Sequence, residues 1–406
     1  MYNLKNYIFT IIVLILSIIN IINCNAQVTL QSLIFKEGKT TLIKNVIDLK
    51  GEELLLPKNI TLSFEKGGCL KNGKITADNT SIIGYKKGIF DDVKIAGQWN
   101  VPYINTDMFK DISSLNSLQN VFALASDRID NVVTIPEGNY VVSANRNCQA
   151  ILGIPSNTEV IVNGTITMLP NNLPNYYIIE LNGENIQLHG KGEIIGDKHS
   201  HLGTTGEWGM GVQLTNCKNV DVCDITIKDC WGDCIYVGTE STDVRINNCT
   251  LIDGRRQGIS ITSANGIHIS NCTISKVRGT SPQYGIDIEP NKGNVVNNVV
   301  IENVEIYDCH GGILSYGKAE NTQIGSIVLK GCEIHDCDAK YPIVFQKGDS
   351  VGVYNCYVDA EERTAILFQD LENVYARDNI LLSTNKQPIK VLFCKKKKVI
   401  DNNILK

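Results

Sequence analysis

The stretch GIDIEP, residues 285 to 290, sets two carboxylates two positions apart in a segment that reads as a strand. Alternation at a period of two puts Ile286 and Ile288 on one side and Asp287 and Glu289 on the other, the acids roughly 6.6 Å apart at about 3.3 Å per residue. Strands are depleted in both acids, so the pair is either a solvated face or a working one. Two such carboxylates repel, which raises one pKa toward that of a general acid and leaves the other ionised as base or nucleophile. Glycoside hydrolysis needs such a pair, with its carboxyl groups about 5 to 9.5 Å apart. Asp233 is a third candidate, expected roughly 10 Å from Asp287 if two repeats of about 4.8 Å separate them. Asp287, Glu289 and Asp233 are therefore the catalytic candidates, with acid and base unassigned. Around them, Tyr236, Tyr284 and Tyr316 could stack sugar rings, and Arg256, Gln257 and Arg278, with Arg255, stand in adjoining turns where they could bind substrate or tune the acids. The plain alternatives are solvated acids, tyrosines packed over loops and solvated arginines.

A repeat must position these residues. One strand per repeat aligns as GVQL at Gly211, CIYV at Cys234, GISI at Gly258, GIDI at Gly285, GILS at Gly312, PIVF at Pro342 and AILF at Ala365. A second signature (RINNCTL, HISNCTI, IENVEI, VLKGCEI, VYNCYV, ARDNIL) joins two apolar strands through Asn248, Asn271, Asn303, Gly331, Asn355 or Asp378. Short strands at a period of about 22 to 30 residues, without a helical pattern or fixed-offset leucines, predict a parallel β-helix rather than a leucine-rich repeat. Cys249, Cys272, Val304, Cys332 and Cys356 should stack inside, and the Asn positions should form a left-handed corner. The alignment predicts one outward row of Gln213, Tyr236, Ser260, Asp287, Leu314, Val344 and Leu367, and a second of Thr215, Gly238, Thr262, Glu289, Tyr316, Gln346 and Gln369. At the turns entering the strands stand Met210, Asp233, Gln257, Tyr284, Gly311, Tyr341 and Thr364.

The fold class expected is thus all-β, a parallel β-helix over 130–406. Upstream, residues 106–129 read as a linker whose SSLNSLQNVFALASD has a helical period, capped by Ser113 or Ser114, able to cover the open end of the solenoid. Residues 27–105 read as a small all-β segment. Residues 1–26, with Lys5 before IFTIIVLILSIINII and Cys24-Asn25-Ala26 at the end, read as a signal peptide, which implies a secreted or periplasmic mature protein. A membrane anchor and a lipid-modified Cys24 are the alternatives.

The formal charge of −5 becomes −6 once Lys5 leaves, which argues against nucleic acid or an anionic surface as partner. The partner expected is a polysaccharide or oligosaccharide, with no stable membrane span in the mature chain. Most of the 14 cysteines lie inside apolar strands as core residues, although Cys230 and Cys234 could pair. No CxxC matches a second CxxC or HxxxH, so no structural zinc is expected. The terminal KKKK, residues 395–398, reads as a solvated edge.

The chain resembles the pectin-lyase-like superfamily of right-handed β-helix proteins, and specifically the polygalacturonase-type glycoside hydrolases; right-handedness follows from this resemblance and the usual crossover rule. WGDCIYVG is similar to that family's Asp-Asp-Cys strand, RRQGISITS to its His-Gly strand and GIDIEPN to its Arg-Ile-Lys strand. The lead-in GEELLLPKNITLSFEKGG resembles that of exported Bacteroidetes β-helix proteins. Architecture matches over about 130–406, motifs only over about 205–290. The departures are specific: Gly232 stands where a second acid would be, Gln257 replaces the His, Asp287 and Glu289 replace Arg and Lys, and no Asp lies near Gly211, although Glu207 is close. The resemblance implies a carbohydrate-active enzyme that does not use the family's basic pair on a uronate; an acidic pair suits a neutral sugar. No cofactor is expected. The rivals are a polysaccharide lyase or uronate epimerase, with Arg256, Arg278 and Tyr284 in play and calcium held by Asp233 and Asp287, and a noncatalytic glycan-binding surface protein.

Overall fold

The computed structural model describes residues 35–406 apart from 113, 114, 116, 147 and 148. The expected signal peptide, Cys24 and the Ser113 or Ser114 cap lie outside the described residues. The chain divides into two compact units, one of residues up to 101 with 107–110, the other of 102–106 with 111–406.

The first unit is a six-stranded, wholly parallel sheet, in which Cys69–Gly84 pairs in turn with Val46–Asp48, Glu53–Leu55, Thr61–Phe64 and Phe90–Asn100. Its core holds Phe64, Phe90 and Trp99 in edge-to-face contact, with the indole N–H donated to the Ala96 carbonyl at 3.0 Å. Burying the ring with its one donor satisfied is what makes Trp acceptable in a core.

The second unit is the solenoid, built from a 19-stranded and an 11-stranded sheet. Parallel pairing runs coil to coil throughout the repeats named above, for example Ile259↔Ile286↔Ile313↔Ile343↔Ile366, and these isoleucines are fully buried. Glycine opens several of these strands because the interior is narrow there. A Cβ on Gly258 would come within 2.5 Å of Ile274, one on Gly285 within 2.5 Å of Ile306, and one on Gly312 within 2.7 Å of Ile334. Each missing side chain makes room for a buried Ile of the facing sheet, so the repeat of Gly in the sequence is a packing requirement.

Cys249, Cys272, Val304, Cys332 and Cys356 form the buried row expected of them, and every described cysteine is a free thiol, Cys230 and Cys234 included. The row continues into Asn379, fully buried, whose side chain accepts from the Cys356 N–H at 2.9 Å and donates to the Val353 carbonyl at 3.0 Å. A buried amide is tolerated because its groups are bonded. The corner residues Asn248, Asn271, Asn303, Gly331, Asn355 and Asp378 all have φ between 52° and 62°. Neighbouring corners hold one another: Asn248 donates to Asp224 at 2.6 Å and Asn271 to Asn247 at 2.8 Å.

The helix over Ser117–Phe122 is shorter than the periodic stretch suggested. It buries Leu118, Val121 and Phe122 and packs on the strands Ala150–Ile154 and Asn139–Val142. Beyond it the chain tightens into i→i−3 bonds, Leu124 to Val121 and Ala125 to Phe122, which end the α-helix. At the other end of the solenoid, the strand Lys396–Ile400 exposes Lys396, Lys397 and Lys398. Lysines on such a strand discourage edge-to-edge pairing.

Candidate active site

The strand Tyr284–Ile288 carries Asp287 between Ile286 and Ile288, and the register aligns Gln213, Tyr236, Ser260, Asp287, Leu314, Val344 and Leu367 in one row. Over the first part of this row lies a cleft of about 430 Å³, lined among others by Tyr177, Trp208, Tyr236, Arg256, Ser260, Asp287 and Glu289. Its lining comes from five successive coils, four steps of about 4.8 Å, so the cleft spans on the order of 19 Å.

Asp287 is 2% exposed, and its Oδ2 accepts a hydrogen bond from Gln257 Nε2 at 2.9 Å while Oδ1 has no partner among the described residues. Burial, then the neighbouring Glu289 carboxylate, pushes its pKa up to about 8, against the opposing pull of Arg256. At neutral pH Asp287 is thus a protonated carboxylic acid in a polar cleft. Glu289, two residues on, is partly exposed and lines the same cleft.

Asp233 is fully buried and lies behind the lining rather than in it. Its Oδ2 accepts from Ser260 Oγ at 2.7 Å and pairs with Arg256 Nη1 at 3.4 Å, and no side-chain partner of Oδ1 stands among the described residues. Burial raises its pKa to about 6, with Arg256 and Ser260 opposing. Arg256 also forms an ion pair with Glu207 at 3.5 Å, too long for a hydrogen bond. Burial disfavours the guanidinium charge, but Asp233, Asp287, Glu207 and Glu289 together outweigh it.

A diagonal pattern underlies these contacts. The residue at the turn entering one coil reaches the outward residue of the next: Asp233 to Ser260, Gln257 to Asp287, and Tyr284 into the apolar cluster with Leu314. The chemistry of the cleft floor is therefore set by pairs of residues about 27 to 30 positions apart.

The remaining sequence candidates divide. Tyr236 lines the cleft, its hydroxyl bonded to Thr262 at 2.7 Å. Gln257 is fully buried and reaches Asp287 rather than open space. Tyr284 is buried with Ala339, Val344 and Leu367, its hydroxyl donated to the Tyr341 carbonyl at 3.1 Å, so it closes the apolar side of the row. Arg278 lies away from the cleft, paired with Asp338 and Asp308 and donating to the Cys309 carbonyl. Tyr316 stands beside Gln346 in the second row, outside the lining.

Tyr177 and Trp208 are lining residues that the alignment of GVQL strands missed, because both precede its first aligned position. The signal was present in NYYII and EWGMGVQL, which pair as Asn175↔Trp208 and Tyr177↔Met210. Trp208 is 49% exposed, a large aromatic face offered to the cleft. The loop before it is held by Asp197, which accepts from Tyr176, His201 and Asn171, while His201 stacks on Trp231 and the Arg255 guanidinium lies 3.8 Å from the centroid of the same Trp231 ring. Among the described residues, His199, Asp229 and Asp253 bring possible metal-ligand atoms within 4.8 Å of one another, but the Lys198 ammonium already pairs with Asp253.

Residues 159–300 and 280–406 match the family model described as right handed beta helix region. The SPbeta prophage-derived uncharacterized protein YorA of Bacillus subtilis (strain 168) is 28% identical over 223 residues, 47% of this chain and 37% of that protein. The chain thus spans little more than a third of this relative. Among solved structures, the A-module of the mannuronan C-5 epimerase AlgE4 of Azotobacter vinelandii superposes with a TM-score of 0.52 at 13% identity, covering 75% of this chain and 95% of that one. An exopolygalacturonase of Thermotoga maritima does so at 0.48 and 14%, covering 75% and 91%. At 13% identity the likeness to the epimerase module is one of fold alone.

Proposed function

Since the chain belongs to the right-handed β-helix family, whose coils set outward residues side by side, we propose that it is a carbohydrate-active enzyme, a glycoside hydrolase cleaving a neutral glycan in this cleft. One observation carries the reading: a buried Asp287, its Oδ1 without a partner among the described residues, stands two residues from a second carboxylate on the wall of one cleft, where burial and that neighbour push its pKa up to about 8. A buried carboxyl group left half-bonded costs stability, and that cost is accounted for if a substrate oxygen completes it. Asp287 then acts as general acid, protonating the glycosidic oxygen as the C–O bond breaks. Glu289 takes the complementary role as base or nucleophile. Their Cα separation of roughly 6.6 Å is compatible with the spacing that either stereochemical course requires.

Asp233 serves from behind, holding Arg256 and Ser260 in place. Arg256 answers to Asp233, Glu207 and the acidic pair, so its charge is already spoken for and a uronate carboxylate would enter a field of excess negative charge. This favours neutral sugars over the lyase and epimerase reading. Tyr177, Trp208 and Tyr236 supply aromatic faces for sugar rings along the cleft.

Product analysis on neutral and uronate-containing glycans tests the proposal. Saturated products from a neutral glycan are the expected result; unsaturated ends from a uronate polymer would transfer the site to lyase chemistry, and binding without turnover on every glycan would make it a binding surface. We further propose export: the mature protein should begin at Gln27, as read by intact mass, and a start at a lipid-modified Cys24 or retention of residue 1 would overturn this.

A further inference from the structure

We infer that Gln257 is a positioning residue that dictates which oxygen of Asp287 carries the proton, confining it to Oδ1. The inference deepens the hydrolase reading and rests on Asp287 as its acid. The Tyr284 backbone N–H can only donate, and it meets Gln257 Oε1 at 2.8 Å. An amide has a single acceptor oxygen, so the group facing Asp287 is Nε2, which donates to Oδ2 at 2.9 Å. Oδ2 is an acceptor in both protonation states. A proton there would point at the amide hydrogens, so the acid proton belongs on Oδ1, the oxygen with no partner among the described residues.

The backbone of the acid's own strand thereby orients the amide that orients the acid, and Gln257, with no exposed surface, has no freedom to turn. The other charged and titratable groups facing Asp287 are Glu289 and Tyr284 on its own segment, Arg256 from the previous coil and Asp233 from the one before. These shift the charge balance of the carboxyl, but only Gln257 hydrogen-bonds to it among the described residues. When Asp287 gives its proton to the glycosidic oxygen, the Gln257 N–H remains in place to stabilise the carboxylate left behind.

Gln257→Glu tests this, because it keeps an oxygen for the Tyr284 N–H and replaces the donor by an acceptor. In carboxyl-labelled protein, the Asp287 ¹³C resonance, identified by its loss in Asp287→Asn, should titrate about one pH unit or more higher than in the parent. The alkaline limb of kcat/KM should move up with it while KM stays within about twofold. Gln257→Leu, which removes both bonds, should also raise the midpoint if the strand holds. An unmoved Asp287 midpoint in Gln257→Glu overturns the inference. Should the parent turn over no glycan, the hydrolase reading fails alone, since the carboxyl titration still decides the role of Gln257.

Discussion

Asp287→Asn is expected to reduce kcat on the neutral glycan by about 10²–10⁴-fold, the usual worth of a positioned general acid. The substitution keeps the shape of the side chain and removes only the transferable proton. Folding should tolerate it, because the carboxyl is already neutral at pH 7 and an amide can still take the Gln257 N–H on its oxygen. The parent should lose activity as pH rises through about 8, where Asp287 ionises. Glu289→Gln should be comparably inactive, and its residual activity should lose its alkaline limb at lower pH, because the Glu289 charge is one of the influences raising Asp287. Full activity in Asp287→Asn on the substrate that the parent cleaves would falsify its role as the acid.

Arg256→Met should destabilise the fold by about 3–5 kcal/mol at neutral pH, the cost of stranding a buried carboxylate. The stranded group is Asp233, fully buried and then held by Ser260 and the Gln257 backbone without a countercharge. The sign of the pH dependence follows from its raised pKa. A carboxyl group whose pKa is higher in the folded state than in the unfolded chain gives a stability that is greatest in acid and declines as pH rises from the unfolded value to the folded one. For Asp233 that window runs from 3.8 to about 6 in the parent, and for Asp287 from 3.8 to about 8. Removing Arg256 takes away the main force opposing both shifts, so the windows extend upward. Denaturant unfolding should therefore show a small deficit near pH 4 and a large one at pH 8, and Asp233→Asn should recover most of it in the double variant. A deficit of equal size at both pH values would mean that Arg256 matters only through its packing.

The sequence showed the solenoid more fully than the site. Outward rows were legible because two periods coincide: side chains alternate every second residue, and the glycine-led strands recur from coil to coil, so Ser260 and Asp287 align in sequence as they do in the sheet. The left-handed corners were legible through Asn248 and its successors for the same reason. Alternation gives the face of a strand but not the depth of a side chain in the turn before it. That is why Asp233 and Gln257, expected at the substrate, lie behind the surface and act on their neighbours. Arg278 and Tyr284 were drawn elsewhere by partners distant in sequence, Asp338 and the Tyr341 carbonyl. Trp208 was missed because its strand begins before the repeat becomes regular.

The diagonal reach from one coil's turn to the next coil's strand also governs how such a cleft can be altered. Lengthening or shortening it by a residue or two would break the pairing on which every coil depends, whereas a whole coil can be added or removed with the stacking intact. Substrate length would then change in increments of about 4.8 Å. A coil inserted between the strand of Trp208 and Asp233 would leave Gln257 with Asp287 and Asp233 with Ser260, moving Tyr177 and Trp208 one rung away from an unchanged acid, so reach and reactivity are separately adjustable in this molecule.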